Sequence, residues 1–113
     1  MLVAVVETDS YLSKARKVMS EAEMETVVSM ISASPMAGDV IQGTGGLRKL
    51  RSPLQGRGKR GGGIVDYWYY NEDHPAILLW VFAKNEAADL SPNQKKLLAS
   101  ASEAFTRQFR SVK

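Results

Sequence analysis

Ala76-Ile77-Leu78-Leu79-Trp80-Val81-Phe82-Ala83 is apolar without a break, and its length suits a strand rather than a helix. A strand with no polar face must be covered on both sides, which places it inside a sheet between two layers. Upstream, Ile64 to Tyr70 reads Ile-Val-Asp-Tyr-Trp-Tyr-Tyr, rich in the β-branched and aromatic residues that strands favour. Asn71-Glu72-Asp73-His74-Pro75 lies between the two segments and is composed of turn residues. The two segments are expected to pair as a hairpin. The rest of the chain then has to supply strands at the hairpin's edges and helices over its faces.

Helix signals occur on both sides. Ser10 to Val18 carries Tyr11, Leu12, Ala15 and Met19 near helical spacing, with Lys14, Arg16 and Lys17 toward water. Ser20-Glu21-Ala22-Glu23 is a capping box, and Met24, Val27, Val28 and Ile31 then form an apolar stripe that ends before Pro35. The methionines read as core filler. Near the C-terminus, Ser91-Pro92-Asn93-Gln94 is a second capping box with proline at the first helical position. The helix it starts is expected over Pro92 to Arg110, with Leu97, Leu98, Ala101, Phe105 and Phe109 as its apolar side. Leu2 to Val6 is a short β-branched run, Val40-Ile41 an apolar pair, and Leu47 to Arg51 a further strand. In that strand Leu47, Lys49 and Arg51 share one face and Arg48 and Leu50 the other. At 113 residues the chain suits one domain, residues 1–113, with one modest core.

Between these segments lies a stretch of unusual composition, Gly43 to Gly63. Six of the chain's 15 lysines and arginines fall between Arg48 and Arg60, and no acid occurs from Val40 to Val65. Cations on so many glycines do not make a core. They make a cationic rim on which a polyanion docks, because phosphate contacts release counterions. The net charge of +3 is mild, so it is the concentration of charge that points to nucleic acid.

Several chemistries find no support. There is no cysteine and one histidine, His74, in the turn, which excludes a disulfide framework, a thiolate nucleophile and a histidine-rich metal site. Gly56-Arg57-Gly58-Lys59-Arg60-Gly61 spells G-x-G-x-x-G, but a dinucleotide loop needs a strand before it and a helix after it. Here a strand follows. No Walker motif is present, and the serines have no histidine partner on any local motif. No apolar run approaches the roughly 20 residues of a membrane helix, and a basic leader is absent, so a cytoplasmic protein is expected.

What remains is cation chemistry on phosphate. Cleaving RNA needs a more nucleophilic 2′-OH, charge stabilisation at phosphorus, and a proton for the departing 5′-oxygen. A lysine crowded by cations can exchange protons while arginines hold the developing charge. Lys49, Arg51, Lys59, Arg60 and Lys84 would make such a cluster if the basic loop curls over the sheet. Arg48 and Arg57 would add phosphate contacts. Tyr67, Trp68, Tyr69 and Tyr70 carry faces on which bases stack, although alternation sends half of them to the core. Tyr67 is taken as the RNA-facing one.

The same residues resemble a family. Gly38-Asp39-Val40-Ile41-Gln42-Gly43-Thr44-Gly45-Gly46-Leu47-Arg48-Lys49-Leu50-Arg51, then Gly58-Lys59-Arg60-Gly61-Gly62, Ala83-Lys84-Asn85-Glu86 and Asp89-Leu90-Ser91 resemble, in order and spacing, the HigB branch of the RelE toxin superfamily. The resemblance implies a type II toxin–antitoxin toxin, an endoribonuclease that cuts mRNA on the ribosome without a cofactor or metal. It implies an α+β fold: a twisted antiparallel sheet with two N-terminal helices and a C-terminal helix, its site on the concave face. The implied partners are a cognate antitoxin, often with a helix-turn-helix domain, and the ribosome with its mRNA.

One position departs. Where the family usually has Arg-Val-Ile-Tyr, this chain has Ile64-Val65-Asp66-Tyr67, so a phosphate-contacting arginine is replaced by Ile64 and a carboxylate arrives at Asp66. Either Arg60 or Arg51 substitutes, Asp66 acts as a base, or the protein is a weakly active RNA- or ribosome-binding relative of the same fold. If the family's site geometry is kept, Ile64→Arg would add a phosphate ligand and raise cleavage.

Overall fold

The computed structural model describes residues 2–52, 63–83 and 90–110. In chain order the elements are β1 (Val5–Glu7), α1 (Asp9–Val18), α2 (Glu21–Ala33), β2 (Asp39–Val40), β3 (Leu47–Ser52), β4 (Gly63–Trp68), β5 (Ala76–Ala83) and α3 (Pro92–Arg110). The strands form one sheet in the order β1-β5-β4-β3-β2. The β4–β5 hairpin sits inside it, as the apolar run of β5 requires. The sheet is antiparallel except at one edge, where β1 runs parallel to the start of β5, with Val5, Val6 and Glu7 opposite Ala76, Ile77 and Leu78.

The helices begin where their caps place them. Thr8 accepts the Tyr11 amide at the head of α1. At Ser20 both bonds of the capping box form, Glu23 amide to Ser20 hydroxyl and Ser20 amide to Glu23 carboxylate. Ser91 and Gln94 make the same reciprocal pair at the head of α3.

Each face of the sheet carries its own apolar layer. On one, Tyr11, Ala15 and Val18 of α1 and Met24, Val27 and Ile31 of α2 pack on Leu50, Val65, Tyr67, Leu78 and Val81. On the other, Leu47, Ile64, Trp68, Ile77, Leu79 and Phe82 pack with Leu90 and with Leu98, Phe105 and Phe109 of α3. Burial of each such side chain contributes about 1.5–3 kcal/mol, so both layers matter to a chain of this size. Of the expected apolar side of α3, Leu97 is the exception, 71% exposed.

Strict alternation fails once. Asp66 pairs with Trp80 but the next residue, Tyr67, pairs with Leu78. Leu79 is the extra residue of a β-bulge, and both it and Trp80 join the α3-side cluster. Because β1 reaches only Leu78, the edge of β5 beyond it is open to α1. Lys14 occupies it, donating from Nζ to the Val81 carbonyl at 3.2 Å and lying 4.9 Å from the Trp80 ring.

The far end of the sheet is locked by aromatic contacts to α3. Trp68 donates its indole N–H to Thr106 Oγ1 at 3.1 Å and packs on Phe105 and Phe109. His74 lies 4.7 Å from Phe109, centroid to centroid, while its Nδ1 is 2.7 Å from Asn71 Oδ1. This half-buried histidine of the turn thus braces the helix. Among the described residues, no helix is long and apolar enough to cross a membrane.

Candidate nucleic-acid interface at the open end of the sheet

α3 packs on the sheet through Trp68, against Phe105 and Phe109, and the strand ends at Ser52, Gly63 and Ala83 lie at the opposite end of β4. There the strands finish in register: Ser52 of β3 pairs with Gly63 of β4, and Gly63 with Ala83 of β5. The basic segment 53–62 departs from Ser52 and returns at Gly63, and Lys84 follows Ala83 directly in the sequence. Arg57, Lys59, Arg60 and Lys84 themselves lie outside the described residues. Their chain attachments nonetheless converge on one end of three adjacent strands.

Two cations of the expected cluster are described, and both are on the α3-side face. β3 alternates, so Leu47, Lys49 and Arg51 point one way, and Leu47 is sealed in the α3-side layer. Lys49 is half-buried and Arg51 exposed. Arg51 is the cross-strand partner of Ile64, and Lys49 that of Asp66. The structure therefore brings Lys49, Arg51, Ile64 and Asp66 onto one patch, beside the three strand ends.

Arg48 and Tyr67 are not part of it. Arg48 pairs with Tyr67 across β3–β4, and both point to the α1/α2 side. The Arg48 guanidinium donates to the carbonyls of Met36, at 3.2 Å, and Gly38, at 2.8 Å. Tyr67 is fully buried; its hydroxyl donates to the Pro35 carbonyl at 2.7 Å and accepts the Gly38 amide at 2.9 Å. Burial raises the Tyr67 pKa above the ordinary phenol value, with the Gly38 amide and Arg48 working against that rise. Both side chains anchor the loop after α2, and Tyr67, fully buried, has no surface to offer RNA. A Cβ on Gly38 would lie 2.7 Å from the Tyr67 hydroxyl, so only glycine fits this clasp.

The clasp was hidden, but one part of it had a signal. If Ile64 and Asp66 share a face, alternation already assigns Tyr67 to the other. The glycines before β3 follow the same logic of close approach. Gly45 has φ +69° and its Cβ position would lie 2.8 Å from Glu103 of α3, so the turn into β3 passes directly under the helix. Thr44 beside it is fully buried, with its hydroxyl bonded to the Ile41 carbonyl.

Ile64 is 5% exposed and belongs to the apolar layer with Leu79, Phe82 and Leu90. The arginine that the resemblance led one to expect here is thus replaced by a core side chain. Of the alternatives that remain, Arg51 is the described cation nearest in register to that position.

No family model matches the sequence. Among solved structures, the fold is similar to that of an arginine-to-alanine double mutant of the E. coli toxin RelE in the free state. The similarity has a TM-score of 0.60 and covers 89% of this chain and 97% of that one, at 14% sequence identity. The fold is thus RelE-like, with three helices and a five-stranded mixed sheet among the described residues.

Proposed function

We propose that this chain is the toxin of a type II toxin–antitoxin system and acts as an endoribonuclease that cuts mRNA on the ribosome. The observation that carries the reading is the convergence of cations at one end of a RelE-like sheet. Lys49 and Arg51 stand on the face there, and segments bearing Arg57, Lys59, Arg60 and Lys84 attach at Ser52, Gly63 and Ala83. Such a cluster needs no bound group to act on a phosphodiester. The 2′-hydroxyl gives up its proton to water and its oxygen bonds to phosphorus, cations stabilise the charge that develops on the non-bridging oxygens, and the bond to the 5′-oxygen breaks as that oxygen takes up a proton. In this reading Arg51 takes the phosphate contact that Ile64 does not provide. Lys49, with Lys59, Arg60 and Lys84, shares charge stabilisation and proton delivery, and Arg57 binds flanking phosphates. The partners are the ribosome with its mRNA and a cognate antitoxin of the helix-turn-helix kind. HigB is the branch whose motifs the sequence resembles.

A second reading, a catalytically weak RNA- or ribosome-binding protein of the same fold, is favoured by one observation. Ile64 is packed in the core, so one phosphate contact of the resembling family is missing. Induced expression in growing bacteria separates the two. An endonuclease arrests growth and produces shortened mRNA with discrete new 5′ ends. A binder leaves mRNA length unchanged.

A further inference from the structure

β1 is an outer strand of the sheet, and its hydrogen bonds show which way its backbone turns. The Ala4 carbonyl accepts the Ala76 amide at 2.9 Å, and the Thr8 amide donates to the Leu78 carbonyl at 3.2 Å. Successive residues of a strand address opposite edges, so Ala4, Val6 and Thr8 face β5 while Val3, Val5 and Glu7 face outward. Val3 is already engaged. Its amide donates to the Ser32 carbonyl of α2 at 3.0 Å, and its carbonyl accepts the Ser32 hydroxyl at 2.7 Å. At Val5 and Glu7 no such outward bond is made among the described residues. The edge therefore offers two amides and two carbonyls at the spacing of a ladder.

α2 closes on the chain at Ser32 and Val3, whereas its earlier turns line a groove of about 530 Å³ that reaches β1 at Glu7. Leu12 of α1 with Met24 and Val28 of α2 supply its apolar surface, and Glu7, Glu21, Glu25 and Arg16 its charge. Three carboxylates against one guanidinium repel phosphate, so RNA is the wrong occupant. A second copy of this chain, brought up edge to edge about a two-fold axis, would set the same acids against each other. An extended chain that carries cations matches both the edge and the charge.

We propose that the β1 edge and this groove dock a short, extended, basic segment of a partner protein, which pairs with Val5 and Glu7 as an added strand. Its side chains alternate between the two faces of the sheet. Those on the groove side are lysine or arginine: their stems cover Leu12, Met24 and Val28, and their charged ends meet Glu7, Glu21 and Glu25. Those on the other side are apolar and lie next to Val6, which is 44% exposed. Nothing in this docking depends on the cleavage chemistry proposed above.

The test is a titration of the full, isotopically labelled chain with a capped heptapeptide of alternating lysine and valine, read by NMR and by amide hydrogen exchange. The expected result is saturable shifts at Val5, Glu7 and the groove residues, with slowed exchange of the Val5 and Glu7 amides. The same peptide with every backbone amide N-methylated keeps its charges but cannot pair, and is expected to bind at least roughly tenfold more weakly. Glu21 and Glu25 are exposed on α2, so Glu21→Gln with Glu25→Gln leaves the fold intact and is expected to weaken the unmodified peptide roughly three- to tenfold. Equal binding of the methylated peptide would reduce the contact to charge attraction and overturn strand pairing. Millimolar lysine–valine peptide that leaves Val5 and Glu7 unshifted overturns the site. If the chain alone sediments as a dimer with the Val5 and Glu7 amides already protected, the edge belongs to a second copy, and the proposal is likewise overturned.

Discussion

Ile64 and Phe82 are cross-strand partners in β4 and β5, and each is nearly sealed from solvent, at 5% and 3% exposure. Both belong to the α3-side layer, at the end of the sheet where Arg51 stands and where segments 53–62 and 84–89 attach. The position at which the sequence resemblance leads one to expect a phosphate-binding arginine is here part of the core.

That finding reverses the expectation for Ile64→Arg. A guanidinium in place of a buried isoleucine loses apolar packing and desolvates a charge, at about 3–5 kcal/mol for comparable core lesions. Differential scanning calorimetry is expected to show a Tm lowered by more than about 10 °C, with cleavage no faster than wild type. An Ile64→Arg protein as stable as wild type and more active would show that the side chain swings out to phosphate.

Tyr67 and Arg48 are expected to matter to stability and not to RNA. Tyr67→Phe removes one donor and one acceptor from the Pro35–Gly38 clasp, leaving a buried amide unpaired, at about 1–3 kcal/mol. Urea unfolding should register that loss while the affinity for single-stranded RNA stays within twofold of wild type. Arg57, Lys59 and Arg60 should behave the opposite way. Neutralising all three is expected to weaken RNA binding and to reduce the slope of log affinity against log salt by about two to three. An unchanged slope would remove the basic segment from the interface.

Two buried tyrosines give the fold an alkaline limit. Burial raises the pKa of Tyr11, with Glu7 adding to the rise, and burial likewise raises that of Tyr67. A group whose pKa is higher in the folded state favours folding fully below its unfolded value, near 10. That contribution is lost as pH climbs from there through the folded value. Stability is therefore expected to fall steeply above about pH 10. Tyr11→Phe should flatten the fall. The Tyr11 hydroxyl is buried with no hydrogen-bond partner among the described residues, so the same substitution is expected to cost little at pH 7. A large loss of stability at neutral pH would contradict this.

The docking of α3 should depend on its C-terminal half. Phe105→Ala, which strips the contact with Trp68, is expected to cost about 2–4 kcal/mol. Leu97→Ala, at a position 71% exposed, should stay within about 0.5 kcal/mol of wild type. Paired thermal melts check both.

The legibility of this fold in its sequence follows the physics of each element. The hairpin and its flanks were readable because periodicity and capping are local. The unbroken apolar run of Ala76–Ala83 and the two capping boxes at Ser20 and Ser91 map onto β5, α2 and α3 as observed. The parallel edge pair of β1 and β5 was not readable, since it joins residues some seventy positions apart and leaves no short-range mark. The bulge at Leu79 was equally silent, because an all-apolar strand has no alternation to break. At the site, β3 alternation correctly put Lys49 and Arg51 together. Tyr67, expected to face RNA, is buried, and Arg48 is drawn to the same loop, because an aromatic ring and a guanidinium suit a clasp as well as they suit RNA. Only the partners Pro35, Met36 and Gly38 distinguish the two uses.

The proposed activity is tested most directly by primer extension on a defined mRNA in a reconstituted translation reaction, with wild type beside the Lys49→Ala/Arg51→Ala double variant. The expected result is discrete cleavage by wild type when ribosomes are present, slowed at least about a hundredfold in the double variant while circular dichroism shows that variant still folded. Intact mRNA with the wild-type protein on translating ribosomes, or cleavage by the double variant at the wild-type rate, would contradict the account.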